Sequence, residues 1–345
     1  MNSPARRRPL VRALLALALL AGAAGSVTAC TSADSATTTS LSVLAGSELG
    51  DLRAVLDELH GETGIRLNLE LRGTMEASDA LASGRAGGYD LAWLSSDRWL
   101  RLALAGSGAG TSSPLATQIM RSPLAIGVKR SAAARLHLDP AGGAVTWSDI
   151  ARAAGTTGLR YAMADPRVSE AGLSALVAVA TAAAGTGAAL RPEDVREDRL
   201  RGFLAGRTLT APSTTELVEA YLGAQDGTDA LIANESELLA LGSDKRLREP
   251  VDIIYPQDGM VLSDYPLLLL DQAKRPAYDR VVHWLLTPSA QKRIMRLTLR
   301  RPVDAGIPRD PRLDRAIGNA LYFPDRPEVV RSLLAQYEAA ASPAP

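Results

Sequence analysis

The sequence predicts an α/β protein of two lobes, each a mainly parallel sheet flanked by helices, joined by two crossing strands. Three observations carry this. Apolar strand-like segments alternate with amphipathic helical segments over most of the chain, the signature of parallel sheets with helical crossovers. Two strand-like segments, residues 122–130 and 251–270, lack an immediate crossover helix and read as links between two units. The 345-residue chain, less a leader, is long enough for two ordinary domains of about 150 residues each.

The elements follow in order. "LSVLA" (41–45) is a short apolar strand. Ser47 caps a helix with Leu49, Leu52, Leu56 and Leu59 on one face, stopped by Gly61. "IRLNLELR" alternates, with Ile65, Leu67, Leu69 and Leu71 on one side. "GTMEASDAL" opens a helix near Thr74, "YDLAWL" is a strand and "SSDRWLRLAL" a helix. "SPLAIGVKR" crosses to the second unit, which continues with the helix "TWSDIARAAG" and the strand "LRYAMADP". "SEAGLSALVAVATAAAG" is apolar nearly all round, too short to span a membrane, and reads as a buried central helix. "LTAPSTTELVEAYL" holds a capping box, Ser213 with Glu216, and Asn234 stands in the same relation to Glu237. "VDIIYPQDGMVLSDYPLLLL" is punctuated by Pro256, Gly259 and Pro266 and returns to the first unit. Three helices and a disordered "SPAP" tail complete the chain. The first lobe therefore comprises 41–121 and 257–341, the second 122–256, with Ser122, Pro123 and Pro256 at the hinge and a tail of 342–345.

The N-terminus reads as a targeting segment. Arg6, Arg7, Arg8 and Arg12 precede the apolar block "ALLALALLAGAA", and small residues follow up to Ala29. This is a cleavable secretory signal over 1–29, since the block is shorter than the roughly 20 residues of a spanning helix. "VTAC" resembles a bacterial lipobox, and Cys30 is the only cysteine. The resemblance implies a diacylglyceryl group on its sulfur and an anchor at the outer face of the cell membrane. Each buried CH₂ contributes about 0.8 kcal/mol, so two acyl chains hold where one is marginal. The Ser/Thr-rich run up to Ser40 makes residues 30–40 a flexible lipidated tether.

Composition excludes several function classes. There are 38 basic and 38 acidic residues, with no phosphate-backbone footprint and so no nucleic-acid partner. One cysteine allows no intrachain disulfide and no thiolate metal site. His60, His137 and His283 lie far apart, and no H-E-x-x-H, G-x-S-x-G or Walker-type loop occurs. "GSGAG" (106–110) lacks the spacing of a dinucleotide fingerprint and reads as a flexible loop. No enzyme, metal site or cofactor is indicated. Aromatics at 4 % disfavour a sugar-stacking cleft.

Polar residues recur where strands end and helices begin: Ser47, Thr74, Ser95, Ser96, Ser169, Ser213, Thr214 and Asn234, with Tyr255 near the hinge. In open α/β sheets ligands bind outside the carboxyl ends of strands, where helix N-termini offer free N–H groups. The same residue types are the strongest helix caps, so each also has a purely structural reading. Acids share these turns: Glu48, Glu76, Asp97, Glu170, Glu216 and Glu235. The expected ligand is a small polar solute. An oxyanion or carboxylate-bearing solute is favoured if Glu48, Glu170 and Glu235 turn away; a cation such as a polyamine is favoured if two or more face the cleft.

"SPLAIGVKR", "TWSDIA", "ADPRVSEAGLSAL", "IIYPQDG" and "WLLTPSAQKRIM" together resemble the extracytoplasmic solute-binding proteins of ABC importers. Their type II periplasmic-binding-protein fold includes the molybdate, sulfate and iron carriers. The likeness spans about residues 41–303. It implies a non-enzymatic monomer that closes on its solute and is read by a permease. It also implies that "ADPRVSEAGLSAL" is the second-lobe ligand loop, with Ser169 and the following amides at the ligand. "RRPVDAG" with "YFPDRPEVVRSLLAQY" resembles a linker that in some relatives leads to a von Willebrand factor A domain. The alternative is a sensor or scaffold module of the same fold.

Overall fold

The computed structural model describes residues 39–106, 113–139, 143–313 and 316–341. The leader, Cys30, most of the tether, most of the "GSGAG" loop and the 342–345 tail lie outside the described residues. The strand begins at Thr39 rather than Leu41: Thr39 and Ser40 already pair with Ile65 and Arg66.

The chain opens with β1 (Thr39–Gly46), a 3₁₀ turn (Ser47–Leu52) running into α1 (Arg53–Thr63), β2 (Ile65–Arg72), α2 (Thr74–Ala82), β3 (Leu91–Trp93), α3 (Arg98–Gly106) and β4 (Leu115–Gln118). It continues with β5 (Met120–Lys129), α4 (Arg130–Leu136), α5 (Trp147–Arg152), β6 (Tyr161–Ala164), α6 (Glu170–Ala184), α7 (Glu197–Ala205), β7 (Arg207–Ala211), α8 (Thr214–Gly223), β8 (Ala230–Asn234), α9 (Glu235–Leu241) and β9 (Val251–Ile254). Last come β10 (Leu262–Ser263), β11 (Pro266–Leu269), α10 (Arg275–Leu285), α11 (Pro288–Thr298), β12 (Arg301–Pro302) and α12 (Pro327–Ala341).

Two sheets result. The first runs β2-β1-β3-β11-β4, parallel where β1 meets β2 and β3, antiparallel where β11 inserts between β3 and β4. The second is built on β5, β8, β6 and β7, with β9, β10 and β12 also pairing to β5. The central strands of each sheet are apolar on both faces, as a crossover topology requires. In β1, Leu41, Val43 and Ala45 enter one core while Leu44 enters another. In β8, Ala230 and Ile232 face one core, Leu231 and Ala233 the opposite one. Residues 170–181 of α6 are all buried, as its all-round apolar sequence predicts.

Several sequence expectations change in detail. β5 is followed at once by α4, whose short "RSAAARL" run carries a weak apolar signal. The 251–270 stretch is three strands, not one, because it turns at Pro256 and again at Tyr265, whose φ is 42°. Leu71 is 46 % exposed at the end of edge strand β2, beyond the reach of the core. The neighbours of Ser122 and Pro123 on β5 are Ser263 and Leu262 of β10. Residues 251–254 pair further along β5, with 126–129, inside the second sheet. Pro256 closes a turn by accepting from Gly259 N, beside Gln257 N donating to the Val145 carbonyl. Sequence grouping put α12 with the first lobe, but Val329, Val330, Leu333 and Tyr337 join the core of the second sheet. There α12 packs on α6 and α7 and also touches α3. No helix among the described residues is long and apolar enough to cross a membrane.

Candidate binding site between the sheets

Six strands end around one small chamber. Ser47 follows β1, Thr74 follows β2 and Ser95 follows β3; Ser169 follows β6, Thr214 follows β7 and Asn234 ends β8. All six line the chamber, together with Glu48, Glu170 and Ala171. Its empty space, counting the part open to solvent, is about 220 Å³, and little of it is wide enough to admit a molecule. That is room for about one water molecule.

The two sides meet in direct hydrogen bonds. Met75 N donates to the Val168 carbonyl at 3.1 Å. Arg98 Nη1 donates to the Leu262 carbonyl at 2.8 Å. Beside the first of these, Gly73 lies so close that a Cβ there would sit 2.3 Å from the Val168 oxygen. Only glycine permits that approach.

The chamber hydroxyls and amide do not cap helices. The helix N-caps here are Gly46, Gly73, Ser169 and Asn234, and none makes a side-chain capping bond. Thr74 Oγ1 instead accepts from Ser95 N at 3.2 Å and Ser95 Oγ at 2.9 Å. Asn234 Oδ1 accepts from Ser263 Oγ at 3.2 Å, and its Nδ2 donates to Tyr265 Oη at 3.5 Å. Thr214 Oγ1 donates to Glu237 Oε1 at 2.9 Å, so Glu237 does not complete a box with Asn234. True side-chain caps lie away from the chamber: Ser213 accepts from Glu216 N, Thr146 from Asp149 N and Thr287 from Ala290 N. The predicted residues thus divide. Ser47, Thr74, Ser95, Ser169, Thr214 and Asn234 come together. Ser213 caps α8; Ser96 Oγ accepts from Arg98 N; Tyr255 Oη donates to Glu235 Oε1 at 2.6 Å; none of the three lines the chamber. Ser122 Oγ donates to Ser236 Oγ at 3.3 Å beneath the chamber-side start of α9.

The acids divide too. Glu48 and Glu170 line the chamber, and burial raises the pKa of both. Glu170 is held by donors, Ser174 Oγ at 2.6 Å and Ser263 Oγ at 3.0 Å. The Glu48 carboxyl folds back over Gly46, where a Cβ would meet its Oε1 at 2.7 Å. Glu235 does not face the chamber: Arg301 holds it with two bonds of 2.7 and 2.6 Å next to the strand crossing. Sequence reasoning took Glu237 as a helix cap and passed over Arg300. Burial, with the negative Glu48 nearby, pushes the Glu237 carboxyl up to about 7 although Arg300 works against it. Arg300 is itself buried; burial disfavours its charge, but Tyr265, Asp51 and Glu237 outweigh this and keep it protonated. No signal in one sequence brings residues 48, 237 and 300 together; the two sheets do. Among the described residues no group of three or more His, Cys, Asp or Glu could hold a metal ion.

Residues 41–296 match the family described as bacterial extracellular solute-binding protein. The chain belongs to this family. Solved structures of similar fold agree with that placement. The periplasmic binding protein AfuA from Actinobacillus pleuropneumoniae, with exogenous fructose-6-phosphate bound, superposes with a TM-score of 0.66 at 11 % identity, covering 89 % of this chain and 99 % of that one. A periplasmic thiamin binding protein gives 0.66 at 13 % identity over 88 % and 96 %. The sulfate-binding protein SubI from Mycobacterium tuberculosis H37Rv gives 0.58 at 19 % identity over 88 % and 98 %. At these identities the likeness establishes the fold of this solute-binding protein, a mixed α/β architecture of two helix-flanked sheets. No curated protein sequence matches it significantly.

Proposed function

We propose that this solute-binding protein captures a small polar solute in the chamber and presents it to an ABC permease, held at the outer membrane face by a lipidated Cys30. One observation carries the reading: six strand ends from two sheets deliver hydroxyls, an amide and uncapped helix N–H groups to a single point. In this reading one lobe is the first sheet with α1–α3, α10 and α11, and the other is the second sheet with α4–α9 and α12. The hinge is the start of β5, where β10 and β12 run beside it. A chamber with room for one water admits a solute only when the lobes part and close again. The solute shifts that equilibrium only by its preference for the closed form. No covalent bond changes.

A thermal-shift screen over sulfate, carboxylates, amines, amino acids and sugars identifies the class, and calorimetry of Thr74→Ala and Ser169→Ala locates the site. Each lost hydrogen bond weakens binding by about 0.5–1.5 kcal/mol, or up to about 3 where the partner is charged. Wild-type affinity in both variants would show that the chamber is not the site. The small chamber also favours a second reading, a sensor or scaffold module that keeps the fold without taking up a solute. A protein with no thermal shift and an unchanged small-angle scattering curve across the whole screen belongs to that reading.

A further inference from the structure

A groove beside the chamber narrows the chemistry of the solute, and this inference rests on the solute-binding reading above. The groove offers about 410 Å³ and shares Ser47 and Glu48 with the chamber wall. Elements of both sheets form it, and part of its lining is apolar, including Val218, Leu241 and Leu297. Five acids line it: Glu48, Asp51, Glu219, Glu237 and Asp244. Three are matched. Asp51 pairs with Arg300 at 2.7 Å, and Glu219 and Asp244 both pair with Arg246. Two are not. Glu48 Oε1 and Glu237 Oε2 are shut off from solvent and have no hydrogen-bond partner. Arg300, the cation lining the groove, gives its two Nη groups to Asp51 and the Glu48 carbonyl, while its Nε, also buried, meets neither of the two open oxygens. Buried acceptors without donors are costly and invite a donor. The two sit on opposite sides of the interface, after β1 and on α9.

We propose that the solute is an amphipathic amine whose ammonium group seats between Glu48 and Glu237 while its apolar stem lies in the groove. An ammonium brings three donors and no acceptor, the complement of two open carboxylate oxygens. The apolar lining suits a hydrocarbon stem and not a compact oxyanion. This is the cationic branch of the sequence expectation, because Glu48 and Glu170 both line the chamber while Glu235 alone is neutralised by an arginine. The groups facing the seat are Asp51 and Arg300 from the first half, and Thr214, Glu219 and Asp244 from the second. Because burial holds the Glu237 carboxyl up at about 7, arrival of a cation beside it at neutral pH favours loss of its proton.

The test uses n-pentylamine, cadaverine, pentanoate and sulfate as probes on the whole mature chain. The amines raise the melting temperature and titrate in calorimetry, and the anions do neither. Glu48→Gln and Glu237→Gln each weaken amine binding at least tenfold, with circular dichroism unchanged. At pH 7, wild-type binding releases protons, read from buffers of different ionisation enthalpy, and Glu237→Gln reduces the release. Unchanged amine affinity in both variants, or tighter binding of an anion, overturns the proposal. An anion whose binding is lost in Thr74→Ala overturns the amine alone and leaves solute capture standing. Silence from all four probes overturns the amine, and the wider screen then decides whether capture stands.

Discussion

Replacing Gly73 by alanine tests whether the two sides close through the contact described above. The backbone at Gly73 has φ −63° and ψ 137°, which alanine adopts freely. Away from any clash such a change would stabilise by about 0.4–1 kcal/mol through the unfolded state. The added Cβ, however, sits 2.3 Å from the Val168 carbonyl oxygen, and ordinary contacts begin at 3.4 Å. The obstacle is backbone, so no rotamer relieves it. Withdrawal by that distance stretches the adjacent Met75 N to Val168 O bond from 3.1 Å to beyond hydrogen-bond range. One such bond contributes about 0.5–1.5 kcal/mol, and 1.4 kcal/mol is a tenfold change in a two-state equilibrium. The closed population of Gly73→Ala therefore falls up to about tenfold from this bond alone. Hydrogen exchange at the Met75 amide and the radius of gyration from small-angle scattering read the effect without any ligand. Faster exchange and a larger radius are the expected result. Unchanged exchange at Met75 with an unchanged radius would refute the reasoning, because the contact would then have yielded locally while the two sides stayed together.

Three further outcomes follow from the charges and the N-terminus. Glu237 has a folded pKa of about 7 against an ordinary 4.5, so its contribution to stability is full below 4.5 and lost as pH rises through 7; the melting temperature of wild type should fall over that range, and Glu237→Gln should flatten the fall. Arg301→Met leaves Glu235 buried without its cation and should cost about 3–5 kcal/mol in urea unfolding, a loss that Glu235→Gln in the same chain should partly restore. Cys30→Ser should abolish incorporation of labelled palmitate and release the protein from the membrane fraction; persistent labelling would place the anchor elsewhere.

The fold was legible because period and punctuation are local. The alternation of "IRLNLELR" and the leucine spacing of 49–59 locate β2 and the helix before it, and the all-round apolar run of α6 announces its burial. The positions of the chamber hydroxyls were legible for the same reason: strand ends recur at readable intervals. Their roles were not. Ser213 and Asn234 carry the same capping signature, yet one caps and the other turns its amide to Ser263 and Tyr265. The difference is set by Ser263 of β10 and by Tyr265 at the turn before β11, about thirty residues away in sequence, which leave no trace in the neighbours of Asn234. The packing of α12 is equally silent in the sequence, since an amphipathic helix states which face is apolar but not which core will take it.

The insertion of β11 between β3 and β4, and of α12 into the second core, sets the timing of the chain's biosynthesis. β3 and β4 are translated early, yet the strand that joins them begins at Pro266. The side chains that complete the other core, Val329 to Tyr337, are made after every strand of both sheets. Neither half can therefore close before these late segments have left the ribosome. Whatever machinery meets the N-terminus during synthesis meets a nascent polypeptide still without either finished interior.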